Sequence, residues 1–393
     1  MVRSTLDGLR GDGRGWMLLA VAFGWFLSIS VRMIYPTLLP FLREAYGLTL
    51  TAAGLLLTVL WLAYAFGQLP GGILADRAGE RLVLVVSSAV AAAMLTLVVL
   101  ANSAIVLFAA TALFGLGTAL YGVSRFTVLE RIYPDQLGTA TGVTMAAGDV
   151  GNALMPPAAG FVAGTVAWQF GFGFAVPLFL VAAVALGTTL PARSGERPSL
   201  RGSIDLGGIR TTLARPVVRR GTALLVLWGV VIQAFIGFYP TYLIDEKGLA
   251  SGTAALLFGF FFALGILMKP IAGRAYDGIG VRVPVIAIAA TASVALVALP
   301  FVDGLAPLVL VTILAGTLLG FETIMIADLT GRLPDGTRGT NLGALRTIYI
   351  ALGALSPVAF GAIADRGFFD EAFLGVAAIA GLVAFVTFVA VDY

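Results

Sequence analysis

The chain has 393 residues, of which 59% are hydrophobic and only 11% charged, and its mean hydropathy is +1.00. So few charges cannot coat a soluble core of this size, which excludes a water-soluble globular protein and implies a membrane protein. The absence of cysteine excludes disulfides, iron–sulfur clusters and thiol chemistry, and the absence of histidine leaves any proton handling to Asp or Glu.

Apolar stretches of about 20 residues, enough to cross about 30 Å of hydrocarbon, recur along the whole chain. They place spans at 16–40, 50–74, 82–101, 104–127, 139–164, 172–190, 221–243, 252–272, 283–301, 306–328, 341–363 and 370–391. The expected fold class is therefore an all-α membrane protein with twelve transmembrane helices. Arg3, Arg10 and Arg14 precede the first span, whose apolar run is too long for the core of a secretory signal, so that span is expected to remain in the mature protein.

In the first span Gly24, Ser28, Arg32 and Tyr35 form a small or polar stripe at helical spacing. Arg32 lies about 24 Å along the helix at 1.5 Å per residue. Such depth costs an arginine at least about 2.5–3.5 kcal/mol, so it should face a cavity or a partner. After the second span comes "GGILADRAGERLVLV" (71–85), four charges in one short turn. Glycines there let two helix ends approach, and Asp76 can cap the third span and pair with arginines. In the fourth span Arg125 continues a stripe of Gly115, Thr118 and Gly122, pointing either into an inner cavity or to lipid headgroups. Glu130 and Arg131 follow at the membrane edge, beside the charged turn.

Asp149, about 10 residues into the fifth span, shares a face with Asn152 and Pro156. It reads as a protonatable coupling residue, a partner for Arg32 or a buried neutral acid. Residues 191–220 form the longest polar stretch and carry Arg193, Arg197, Arg201, Arg210, Arg215, Arg219 and Arg220, a cytoplasmic linker whose charge anchors topology. Gln233, flanked by Gly229 and Gly237, is a candidate uncharged contact in the seventh span. Glu322 lies in the inner half of the tenth span, off the Gly316, Gly320 and Thr323 stripe, while Lys269 and Arg346 sit near inner helix ends, where they snorkel or join a gate.

The charged turn is repeated. "GRAYDGIGVRV" answers "GILADRAGERL" at a constant shift of 201 residues, so Gly72, Asp76, Gly79 and Arg81 become Gly273, Asp277, Gly280 and Arg282. Gly138 and Thr139 fall on Gly339 and Thr340, Pro156 and Gly160 on Pro357 and Gly361, and Tyr35-Pro36-Thr37 is matched by Tyr239-Pro240-Thr241 at a shift of 204. Two six-helix bundles are thus expected, at 1–190 and 221–393, joined by the linker 191–220. Placing the N-terminus inside puts 20 of the 24 basic residues on or near cytoplasmic segments, so both termini should be cytoplasmic. The pI of about 9.3 then reflects topology, and no basic stripe interleaved with aromatics suggests nucleic-acid binding.

Gly72, Leu74, Asp76, Arg77, Gly79 and Arg81 resemble the hallmark loop of the major facilitator superfamily, with Glu80 where that family usually has a basic residue. The resemblance covers nearly the whole chain. It implies two bundles that rock around a central cavity lined by the first, fourth, seventh and tenth helices. It also makes both loops, with Glu130, a gate rather than a substrate site.

Residues shared by the two halves build the fold, so charges without a counterpart are the better site candidates. Arg32 corresponds to Ile236 and Asp149 to Ile350. The leading expectation is a secondary transporter of a small, carboxylate-like anion, driven by an ion gradient in the cell membrane, because a guanidinium fork binds carboxylate bidentately. Arg32, Tyr35, Arg125 and Gln233 would contact substrate, and Asp149 and Glu322 would couple ions. The alternative is a proton-coupled exporter of amphipathic drugs, suggested by the loose likeness of "GDVGNALMPPAAG" to an antiporter motif and by the Phe-rich "FGFFFALG". No phosphate-binding GxxxxGK[ST] loop and no catalytic His or Cys is present, so neither an ATPase nor an enzyme is expected. No metal or cofactor is expected, the membrane lipids are the only other partner, and the chain is expected to act as a monomer.

Overall fold

The computed structural model describes residues 13–192, 206–334 and 338–390, which leaves Arg3, Arg10, Arg193, Arg197 and Arg201 outside the described residues. Those described are helical, without a strand. In chain order the helices are α1 (Arg14–Tyr46), α2 (Leu50–Ala78), α3 (Glu80–Val99), α4 (Ala104–Ile132), α5 (Leu137–Thr165), α6 (Trp168–Gly173), α7 (Ala175–Thr189) and α8 (Leu206–Ala214). They continue with α9 (Pro216–Asp245), α10 (Ser251–Ile279), α11 (Arg282–Ala298), α12 (Leu305–Ala315), α13 (Leu318–Arg332), α14 (Arg338–Gly353), α15 (Ser356–Ala364) and α16 (Phe369–Ala390).

Among the described residues, eleven stretches are long and apolar enough to cross a membrane, and each overlaps one of the expected spans. The remaining expected span forms α5, which is 29 residues long, but its many glycines with Asp149 and Asn152 make it less apolar than the others. Three spans expected as single helices are divided. The sixth breaks at Phe174, the tenth at Gly316 and Thr317, and the eleventh at Ala354 and Leu355. At the tenth the chain tightens into i→i+3 bonds, Thr317 N–H to Leu314 O at 3.2 Å and Gly320 N–H to Thr317 O at 3.0 Å. The first-half counterparts α4 and α5 run unbroken, and Pro156 lies inside α5, so a proline at that shift does not by itself break the helix.

The chain divides into two compact units, residues 1–41 with 59–199, and residues 42–58 with 200–393. In the first unit α4 is the central element, and small residues let its neighbours approach, as lipid-embedded helices require. A side chain at Gly115 would lie 2.5 Å from Leu60 O of α2, and one at Gly71 would lie 3.0 Å from Leu120 Cα. Ser87 of α3 donates to Gly117 O at 2.7 Å, and Tyr121 donates to Val21 O of α1 at 2.8 Å. Gly24 lies against the Tyr121 ring and Ser28 donates to Thr118 O at 3.4 Å. The polar stripe of α1 therefore packs largely onto α4, because small residues there serve helix contact.

In the second unit Gly229 of α9 lies against the Tyr349 carbonyl of α14, and the Trp228 indole donates to Leu318 O at 3.2 Å while stacking on Phe321 at 4.1 Å. Residues 42–58 bind here too. Arg43 pairs with Asp245 at 2.5 Å, and Gly54 and Gly361 bring the starts of α2 and α15 into backbone contact. Asp365 accepts from the Leu50 N–H at 2.6 Å, the Thr51 N–H at 2.7 Å and the Thr51 hydroxyl, and so caps the first two N–H groups of α2 while Thr49 takes the next, from Ala52, at 3.2 Å.

Burial pushes the Asp365 carboxyl up, but the hydrogen bonds from Thr51, Thr49 and Leu50 together hold it below the usual carboxylate range. A depressed folded-state pKa gives stability that is complete above the unfolded value of about 3.9 and is lost as pH falls through the folded value. Asp365→Asn should therefore cost about 0.5–1 kcal/mol at neutral pH, the lower part of the N-cap range because the carboxylate is exposed. The deficit should shrink below about pH 3.9. Melting temperatures of both proteins from pH 3 to 7 check this, and parallel pH curves would refute it.

Candidate functional site

Arg32 and Arg125 are among the largest fully buried side chains, 1% and 2% exposed. The Arg32 guanidinium carbon lies 3.7 Å from the Tyr64 ring centroid, 5.3 Å from Trp61 and 6.0 Å from Trp25. That of Arg125 lies 3.3 Å from Trp25 and 4.1 Å from Phe126. Arg125 also donates to Gly122 O at 2.8 Å and to the Met145 sulfur at 3.6 Å. Rings hold the faces of both guanidinia through cation–π attraction, about 2 kcal/mol when desolvated, and leave N–H edges for other partners. Nε and Nη1 of Arg32 and the Trp25 Nε1 are buried with no hydrogen-bond partner among the described residues.

The spacing explains the assembly. Trp25 and Arg32 are seven residues apart on α1, while Trp61, Tyr64 and Gln68 fall on one face of α2. Sequence reasoning singled out the two arginines but passed over Trp25, Trp61, Tyr64 and Gln68, although this periodicity beside a buried cation could have found them. The cluster has no equivalent in the second half, where the matching positions are Gly229, Ile236, Phe262, Gly265, Lys269 and Ile326. Asp149, partly buried, lies one helical turn beyond Met145 on the same side of α5 as the residue that touches Arg125.

Tyr35 is engaged elsewhere. Thr111 donates to its hydroxyl at 3.4 Å, and its ring packs on Phe114 and Phe172. Tyr239 and Thr312 repeat that bond at 2.5 Å, which gives the tyrosine pair a role in packing each half. In the second unit Gln233 is buried in α9, and Glu322 is exposed with its carboxylate receiving the Tyr349 hydroxyl at 2.5 Å.

The duplicated loops hold a shared bond. Arg81 donates to Gly187 O at the end of α7, and Arg282 donates to Phe388 O at the end of α16, again 201 residues on. Each arginine thereby caps the last helix of its own half, where cations suit the helix dipole. Gly79 and Gly280 adopt φ of +87° and +75°, a conformation that favours glycine and explains their recurrence. Gly79, not Asp76, occupies the N-cap of α3, and Asp76 belongs to the last turn of α2, exposed like Arg77 and Asp277. Gly72 and Gly273 lie one turn before these aspartates, within α2 and α10. Glu80 pairs with Arg131 at 3.3 Å, while Glu130 is exposed.

Known proteins share this organisation. The chain is 24% identical over 368 residues to the hexuronate transporter of Bacillus subtilis, covering 87% of each chain. It is 24% identical over 399 residues to a probable sulfoacetate transporter of Cupriavidus necator, covering 91% of this chain and 90% of the relative. Among solved structures, a mutant form of the nucleoside transporter NupG superposes with a TM-score of 0.82 at 14% identity, over 95% of this chain and 99% of the other. A family model matches residues 21–357, and with the repeated loops and the apolar helices of both units it makes this multi-pass membrane protein a member of the Major Facilitator Superfamily.

Proposed function

We propose that the protein is a secondary transporter of small organic anions, seated in the cell membrane with both termini cytoplasmic. The carrying observation is the convergence of two buried guanidinia on Trp25. At an effective dielectric constant of about 20, an anion about 4 Å from such a cation gains about 4 kcal/mol, far more than in water. Arginine forks then fix its orientation. Relatives named for hexuronate and sulfoacetate, both anions, support the same reading.

In this reading Arg32 and Arg125 hold the anion. Asp149, a turn from the residue that touches Arg125, exchanges the coupling proton, and Glu322 with Tyr349 offers a second carboxylate for it. The halves 1–190 and 221–393, joined by 191–220, alternate between the two membrane faces as one monomer, without catalysis or cofactor. The loops carrying Asp76, Arg77, Asp277 and Glu130 act as gates. Uptake of radiolabelled D-glucuronate into proteoliposomes, with and without an inward proton gradient, tests the reading. Uptake above protein-free vesicles, raised by the gradient and lost in Asp149→Asn, is expected; transport of cationic dyes with none of D-glucuronate would overturn it in favour of drug export.

A further inference from the structure

We infer that Gln68 sets the substrate class of this site, acting as a hydrogen-bond donor that favours carboxylates bearing hydroxyl oxygens beyond the charged group. The inference rests on the anion reading and refines it. Gln68 follows Tyr64 by one turn of α2, so its amide sits next along the face that Tyr64 presents to Arg32. Gly122 of α4 ties the group together. A side chain there would lie 2.9 Å from the Tyr64 hydroxyl and 3.8 Å from Gln68 Oε1, and its carbonyl receives Arg125. A glycine at that point lets the Tyr64 hydroxyl and the Gln68 amide come close to α4 beside the carbonyl that receives Arg125.

The Gln68 Nε2 is buried without a hydrogen-bond partner among the described residues, like Arg32 Nε and Nη1 and Trp25 Nε1. Buried polar groups are paired in the great majority of cases, so four unpartnered donor atoms in one cluster match a ligand rich in acceptors. A carboxylate has only two oxygens to share among them, and one head group cannot satisfy both the guanidinium and an amide a turn away. Hydroxyl oxygens on the body of the anion supply the remaining acceptors. A site whose buried donors are satisfied by a ligand's oxygens rejects an analogue that lacks them.

Two ring carboxylates of equal charge and similar size provide the test, D-glucuronate and cyclohexanecarboxylate, with affinities taken from thermal-shift titration of the purified full chain. The wild type should bind D-glucuronate at least 10-fold tighter. Gln68→Leu should weaken D-glucuronate about 3- to 10-fold and leave cyclohexanecarboxylate unchanged, whereas Arg32→Gln should weaken both. Gln68→Asn, which shortens the amide and keeps its polarity, should show the same selective loss and guards against a leucine variant that fails to fold. Equal affinities in the wild type, or no selective loss in either Gln68 variant, would overturn the inference and leave the anion reading standing. If neither carboxylate bound the wild type, both would fall.

Discussion

Replacing Arg32 with glutamine should weaken anion binding about 10- to 150-fold, the equivalent of about 1.5–3 kcal/mol for lost charge-assisted bonds. Arg32→Lys keeps the charge but loses the planar fork and the ring contacts, so it should also weaken binding, though less. Stability should respond differently. The guanidinium is held at 3.7 Å by the Tyr64 ring, an attraction of about 2 kcal/mol when desolvated. Two of its nitrogens are buried without a hydrogen-bond partner among the described residues, and each such group costs about 1–3 kcal/mol. For the two groups together that cost is about 2–6 kcal/mol, at least as large as the attraction, so the melting temperature of ligand-free Arg32→Gln should be no lower than that of the wild type. Affinity by titration and melting temperature on the same samples measure both. Unchanged affinity for a transported anion in a folded variant would remove Arg32 from the site, and a large fall in stability would make it structural.

The second large effect is expected where residues 42–58 meet α15. A side chain at Gly54 would collide with the Pro357 carbonyl, and one at Gly361 with the Leu50 carbonyl. Both obstacles are backbone, which cannot rotate away, so Gly54→Val and Gly361→Val should each destabilise by about 1–3 kcal/mol or more, as overpacking does. The two sites share one contact surface. Once either valine has separated the helices the other collides with less, so the double variant should lose less than the sum. Melting curves of the three variants decide it, and additive losses or wild-type stability in either single variant would contradict this account.

The duplication was legible in the sequence because it depends on residues few others can replace. Gly79 and Gly280 need positive φ, and Arg81 and Arg282 reach one carbonyl position in each half. Helix positions were legible too, since membrane crossing demands long apolar runs. Asp365 as a cap was not, because its partners Leu50 and Thr51 lie more than 300 residues away and periodicity carries no information over that distance. The breaks in the tenth and eleventh spans were hidden as well, since α12 and α13 read as one apolar run; the Trp228 indole bonds Leu318 O just past the break in the tenth. The Tyr35 bond to Thr111 was not legible either, since the two residues lie on different helices 76 residues apart.

The bonds repeated at a shift of 201 residues, from Arg81 to Gly187 and from Arg282 to Phe388, leave the positions around Trp25 outside the symmetric framework. A substitution at Arg81 or Arg282 removes a bond between the third and the last helix of its half. Positions 25, 32, 61, 64, 68 and 125 carry no such repeated bond. In the proposed reading a change of cargo therefore needs substitutions in one half only, and the repeated bonds that brace both halves stay in place.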